Sequence, residues 1–186
     1  MRDQLRIAVF TIVEGAALVL WLALVRSDAG IYQVSTGSLV AGIAVLAIGF
    51  TIEHIIAYNV IHDRGLLDLQ GVPIAQKAVV SLIETVIWAV WLVLADLNGI
   101  IAAIALLVLL ILEHTLSDNV FKGRDIFSKL LDARTIGFSL VEAVGAAIWL
   151  VLVEVNMTVV GIVILVIASF IEHMLAVALA RKQTAL

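Results

Sequence analysis

Cysteine is missing from this 186-residue chain, which excludes disulfides, iron–sulfur clusters and thiolate metal sites. Proline occurs once, at Pro73, so no long apolar segment carries a helix breaker. Charge is scarce: 14% of residues are charged against 63% hydrophobic. No basic stripe exists of the kind nucleic acid requires, and nucleic acid is excluded as a partner. A soluble domain of this size could not hide so much apolar surface. The remaining solvent is lipid.

Six apolar runs follow one another, at Leu5–Val25, Leu39–Ile61, Ile74–Ala95, Gly99–Leu116, Ile136–Val153 and Met157–Ala180. Each can cover a hydrocarbon core ~30 Å thick, which takes about 20 helical residues. In lipid a helix satisfies its own backbone groups, so the expected fold is an all-α integral membrane bundle of six transmembrane helices. The first run is too long for a secretory signal, carries Glu14 and shares its pattern with two later runs, so it reads as mature structure. Residues 1–186 then form a single membrane domain. The loops are short, with Gly71-Val72-Pro73 and Lys122-Gly123-Arg124-Asp125 the clearest turns. Alternating the spans puts Arg2, Arg6, Arg64, Lys77, Lys122, Arg124, Lys129, Arg134, Arg181 and Lys182 on one side and only Arg26 on the other. By the positive-inside rule both termini are expected in the cytoplasm of a cell-membrane protein.

The chain also repeats itself. Odd-numbered spans carry Thr11-Ile12-Val13-Glu14, Ser81-Leu82-Ile83-Glu84 and Ser139-Leu140-Val141-Glu142, each followed seven residues after Glu by Trp-Leu: Trp21-Leu22, Trp91-Leu92 and Trp149-Leu150. Even-numbered spans carry an adjacent pair near their ends, Glu53-His54, Glu113-His114 and Glu172-His173. The matched pairs predict three two-helix repeats, approximately 5–62, 73–120 and 135–182, about a pseudo-threefold axis along the membrane normal. Glycines such as Gly15, Gly42, Gly49, Gly145 and Gly161 read as close-packing positions.

Six of the seven Glu and three of the four His fall within spans. Such groups are costly in a membrane and usually face the bundle interior. Glu14 lies roughly 13 Å from the cytoplasmic start of its helix and Glu53 roughly 12 Å from the cytoplasmic end of the next, at ~1.5 Å per residue. The other units match, so all nine groups share one layer in or near the cytoplasmic half of the bilayer. Seven residues are about 20° short of two turns, so Trp21, Trp91 and Trp149 stand above their Glu on the same face. They are read equally as an aromatic belt or as a cap over the layer.

Six ionised carboxylates in a low-dielectric core would be prohibitive, so they must be protonated, paired or metal-bound. The expected metal ligands are Glu14, Glu53, His54, Glu84, Glu113, His114, Glu142, Glu172 and His173, with Thr11, Ser81 and Ser139 as supporting donors one turn before each odd-helix Glu. Nine ligands exceed one ion, so two or three transition-metal ions are expected, with Fe, Mn or Zn suited to the donor set. In ligand type the set resembles the di-iron carboxylate sites of ferritin-like bundles, although the pair here is Glu-His rather than Glu-x-x-His and the units number three. The recurrent Asn59 and Asn119 are weaker candidates because the third unit has Ala178. His62 beside Asp63 reads as solvated, and Trp88 as packing.

The favoured function is a membrane metalloenzyme working by redox or Lewis-acid chemistry on a small or membrane-soluble substrate. Alternatives are a transporter or channel for protons or divalent metals, a haem protein ligated by His54, His114 or His173, and a structural subunit whose Glu residues make neutral helix–helix hydrogen bonds.

Overall fold

The computed structural model describes residues 2–25, 35–121, 133–155 and 157–184. Six helices follow in order: α1 Arg2–Val25, α2 Thr36–Ile61, α3 Ile74–Leu97, α4 Gly99–Phe121, α5 Ala133–Glu154 and α6 Thr158–Thr184. Local chemistry sets several of these boundaries. Ser35 caps α2 by accepting the Ser38 N–H at 3.1 Å. Pro73 precedes α3, where its missing N–H is harmless. Asn98 alone joins α3 to α4, its Oδ1 accepting from the N–H groups of Ile100 and Ile101 at 3.0 and 3.1 Å. Of the two expected turns, Gly71 adopts a left-handed φ of 67°, and residues 122–125 lie outside the described residues, as do Arg26 and Lys129.

Five helices contain apolar spans long enough to cross a membrane: Gln4–Val25, Thr36–Ile61, Ile74–Leu97, Gly99–Ser117 and Thr158–Leu179. In α5 the apolar stretch of described residues is shorter, Thr135–Trp149. Large apolar side chains face outward all round; Ile12, Leu82 and Leu140 on the odd helices and Ile52, Leu112 and Ile171 on the even ones are exposed beside buried Glu residues. The protein is a six-helix, largely transmembrane all-α bundle.

Packing is most extensive within the pairs α1–α2, α3–α4 and α5–α6, an arrangement suggestive of repeats. The pairs also touch α2 to α3, α4 to α5 and α6 to α1, so the six helices close into a ring. Two hairpins bring their backbones close through small residues at matching positions. Gly49 on α2 faces Ala17 on α1, and Gly145 on α5 faces Ala168 on α6. Ala17 and Gly145 each stand three residues after an odd-helix Glu, so glycine and alanine have exchanged sides while keeping the same contact. Gly42 and Gly161 receive the indole edges of Trp21 and Trp149. A Cβ at Gly49 would collide with the Ala17 methyl, which cannot rotate away. Gly49→Val is therefore expected to destabilise the bundle by about 1–3 kcal/mol, read as a lower melting temperature in detergent. An unchanged melt would mean that this close approach is not needed.

Candidate metal centre

All nine Glu and His side chains line one cavity of about 90 Å³. The six Glu residues are only 2–8% exposed. The odd helices supply Glu14, Glu84 and Glu142, and the even helices supply the adjacent pairs Glu53-His54, Glu113-His114 and Glu172-His173. Neighbouring residues on a helix differ by about 100° in heading. The packing resolves this by turning each His toward the odd helix of the next hairpin.

That turn produces the same contact three times. His54 Nδ1 lies 3.1 Å from Ser81 Oγ, His114 Nδ1 lies 2.7 Å from Ser139 Oγ, and His173 Nδ1 lies 2.9 Å from Thr11 Oγ1. Each hydroxyl also reaches the carbonyl four residues back on its own helix: Ser81 to Lys77 at 2.8 Å, Ser139 to Thr135 at 2.8 Å and Thr11 to Ile7 at 3.1 Å. A hydroxyl has one proton. Given to the carbonyl, it leaves the oxygen to accept from an imidazole N–H. At His54 a second partner acts the same way, because Nδ1 also lies 2.8 Å from the Phe50 carbonyl, which can only accept. With the hydroxyl protons so placed, Nδ1 carries the imidazole proton and Nε2 keeps a lone pair for a cation. Thr11, Ser81 and Ser139, expected as supporting donors, each lie within hydrogen-bond reach of an imidazole Nδ1.

The carboxylates surround the imidazoles. His114 Nε2 lies 3.6 Å from Glu142, 3.5 Å from Glu172 and 3.7 Å from Glu113. His173 Nε2 lies 3.6 Å from Glu14, 3.8 Å from Glu53 and 3.2 Å from Glu172. His54 Nε2 lies 3.7 Å from Glu113, while its Nδ1 is the nitrogen nearer Glu53, at 3.2 Å, and Glu84, at 3.8 Å. Most of these separations are too long for a hydrogen bond. They match two ligand atoms sharing one ion, which at about 2.1 Å from a tetrahedral metal stand about 3.4 Å apart. His54, Glu84 and Glu113 offer ligand atoms all within 4.8 Å of one another, forming a buried cluster able to chelate a metal ion. Among the described residues this is the one group that meets that closeness, against the two or three ions expected from ligand number.

Oxygens of Glu14, Glu84 and Glu113 are fully buried without a hydrogen bond. Glu14 uses its other oxygen to accept from Ser169 at 3.4 Å. No protein-family model, curated protein or solved structure matches the chain. The chemistry of the site rests on its own side chains.

The cavity is asymmetric along the bundle. Its remaining lining is Phe10, Ala57, Ile61, Ser117, Phe138, Ala176 and Val177, all toward the end where α1 begins and α6 finishes. On the opposite side of the layer lies a packed apolar cluster that includes Phe50, Leu46, Leu106, Leu110, Trp21, Trp88, Trp91 and Trp149. The four Trp side chains are 1–2% exposed, and the Trp91 and Trp149 rings sit 5.2 Å apart. The Trp residues are thus a cap inside the bundle rather than a belt at its surface. Trp88 joins it edge-on to Trp91 at 5.3 Å.

Several residues take other places than expected. Asn59 donates to the carbonyls of Leu66 and Asp68 at 3.0 and 2.9 Å, tying down the α2–α3 loop, and Asn119 is buried but does not line the cavity. Lys77, counted among the loop bases, is buried on α3 with its ammonium 4.9 Å from the Tyr58 ring. His62 is exposed, as expected; its neighbour Asp63 pairs with Arg6 at 3.0 Å. Two features escaped the sequence reading. Phe10 and Phe138, each four residues before a Glu, meet His173 and His114 edge-on at 4.5 and 5.0 Å. Ala57, Ser117 and Ala176 stand four residues after each even-helix Glu, a recurrence of small side chains that leaves the cavity its width.

Proposed function

We propose that the protein is an integral membrane metalloprotein whose Glu/His layer holds a polynuclear transition-metal centre, of iron, manganese or zinc, for redox or Lewis-acid chemistry on a small or membrane-soluble substrate. The ligands are the nine Glu and His side chains. Their three hairpins, 5–62, 73–120 and 135–182, are related by a pseudo-threefold axis along the membrane normal, with both termini and the end toward which the cavity extends cytoplasmic. One observation carries the reading: buried carboxylate oxygens without hydrogen bonds converge on imidazoles whose Nδ1 is already engaged. Burying carboxylates in hydrocarbon without compensation is prohibitive, and a cation between Nε2 and the carboxylates supplies it.

The purified protein is expected to carry transition metal that survives gel filtration. Glu84→Gln and His114→Ala should each lower the bound metal by at least about tenfold in affinity, by loss of a direct ligand. Metal content unchanged in both variants would remove this layer as the site. The transporter reading needs a path through the packed Trp layer, and the haem reading needs porphyrin-sized space beside six Glu. A cavity of about 90 Å³ favours neither.

A further inference from the structure

We infer that the layer holds three divalent cations, one beside each imidazole, joined in a closed ring by the carboxylates of Glu53, Glu113 and Glu172. This rests on the metal-centre reading and fixes its nuclearity and wiring. The even-helix carboxylates each touch two imidazoles. Glu113 lies between His54 and His114 at 3.7 Å from both. Glu172 lies between His114 and His173 at 3.5 and 3.2 Å, and Glu53 between Nε2 of His173 and Nδ1 of His54 at 3.8 and 3.2 Å. The odd-helix carboxylates each touch one: Glu142 and Glu14 meet Nε2 of His114 and His173, both at 3.6 Å, and Glu84 meets His54 on its Nδ1 side at 3.8 Å.

Two kinds of carboxylate therefore alternate with the imidazoles. One kind is placed to bridge, the other to terminate. Each station then owns one imidazole, one terminal carboxylate and a share of two bridges, the four ligands that a tetrahedral ion takes. Three such stations use all nine side chains and leave none over. The charge closes as well, because three divalent ions match six carboxylates. The hydroxyl of Ser81, Ser139 or Thr11 behind each imidazole completes the pattern, since a ligating His commonly gives its other N–H to a fixed partner. Every station takes its imidazole from one hairpin and its terminal carboxylate from the next, so the ions also tie the three hairpins together.

The test is metal counting on the full-length protein in detergent, reconstituted with Mn²⁺ alone, desalted and read by elemental analysis and electron paramagnetic resonance. Three Mn²⁺ per chain are expected, with the six-line spectrum of isolated Mn²⁺ replaced by a broadened, exchange-coupled signal. Two ions per chain, or three ions giving isolated six-line spectra, would overturn the ring and leave the metal-centre reading standing, while a single ion would overturn the ring and the polynuclear reading together. No retained metal under any loading would overturn both. His54→Ala, His114→Ala and His173→Ala should behave alike, each losing at least one ion. Where such a variant fails to fold, Thr11→Val, Ser81→Ala and Ser139→Ala carry the same test through positioning alone. Each should weaken Mn²⁺ binding about 10- to 100-fold, while Thr11→Ser and Ser81→Thr retain it. Equal affinity in the hydroxyl-deleted variants would dismiss their assigned role and the equivalence of the stations with it.

Discussion

Stripping the cations with a strong chelator at neutral pH is expected to lower the melting temperature of the purified protein by about 10 °C or more. The effect follows from mass action. On the metal-centre reading, cations bind the folded layer and have no such site in the separated hairpins, and free cation a thousandfold above its dissociation constant adds about 4 kcal/mol. For a chain of this size each kcal/mol is worth about 2–4 °C. The control removes charge and keeps shape. In the triple variant Glu53→Gln, Glu113→Gln, Glu172→Gln the three bridging carboxylates become neutral amides of equal volume. Its melting curve should be the same with and without chelator, because the layer no longer depends on cations. A wild-type protein that releases its metal and melts at an unchanged temperature would mean that the carboxylates are neutralised in some other way, and the metal-centre reading would lose its energetic basis.

Much of this architecture was legible in the sequence for a physical reason. In a membrane the rare ionisable residue is the informative one, and spacing alone placed Glu14 and Glu53 at one depth. The structure puts both, with the other seven groups, around one cavity. Spacing could not say which way hydrogen bonds run. Thr11, Ser81 and Ser139 read as supporting donors one turn before each odd-helix Glu, and only the fold brings them to an imidazole on the preceding hairpin, or for Thr11 on the last one. The Trp positions suited belt and cap equally, because distance from a helix end does not tell inside from outside in helices apolar on every face. Lys77 counted as a loop base, yet it lies one turn before Ser81 and finds the Tyr58 ring of the preceding helix. Asn59 recurred with Asn119 and so resembled a site residue, whereas its partners are carbonyls of the next loop. The small residues Ala57, Ser117 and Ala176 did recur in register, but alanine is too common in membrane helices for the pattern to stand out.

Wild-type protein in liposomes is expected to pass no divalent cations, and replacing Trp91 and Trp149 by Ala should change that or unfold the bundle. Four indoles are buried on the side of the layer away from the cavity. The Nε1 atoms of Trp88, Trp91 and Trp149 have no hydrogen-bond partner, so the region has no polar lining to guide a hydrated ion. A cation crossing it would lose its water against apolar rings, a cost of several kcal/mol that nothing there offsets. Each Trp→Ala change removes a large buried ring and costs about 3–5 kcal/mol if the neighbours do not collapse into the space. A cavity on both faces of the layer would then let water and ions through, so a folded Trp91→Ala/Trp149→Ala variant should release a trapped Mn²⁺-sensitive dye from its shielding, while the parent keeps it shielded. Flux through the wild type that disappears in Glu113→Gln would reverse the assignment, making the layer a way station and the Trp cap a gate. Absence of flux in the wild type, together with retained metal, would leave a layer closed by the Trp cap on one side, which holds its ions in place for chemistry rather than passing them on.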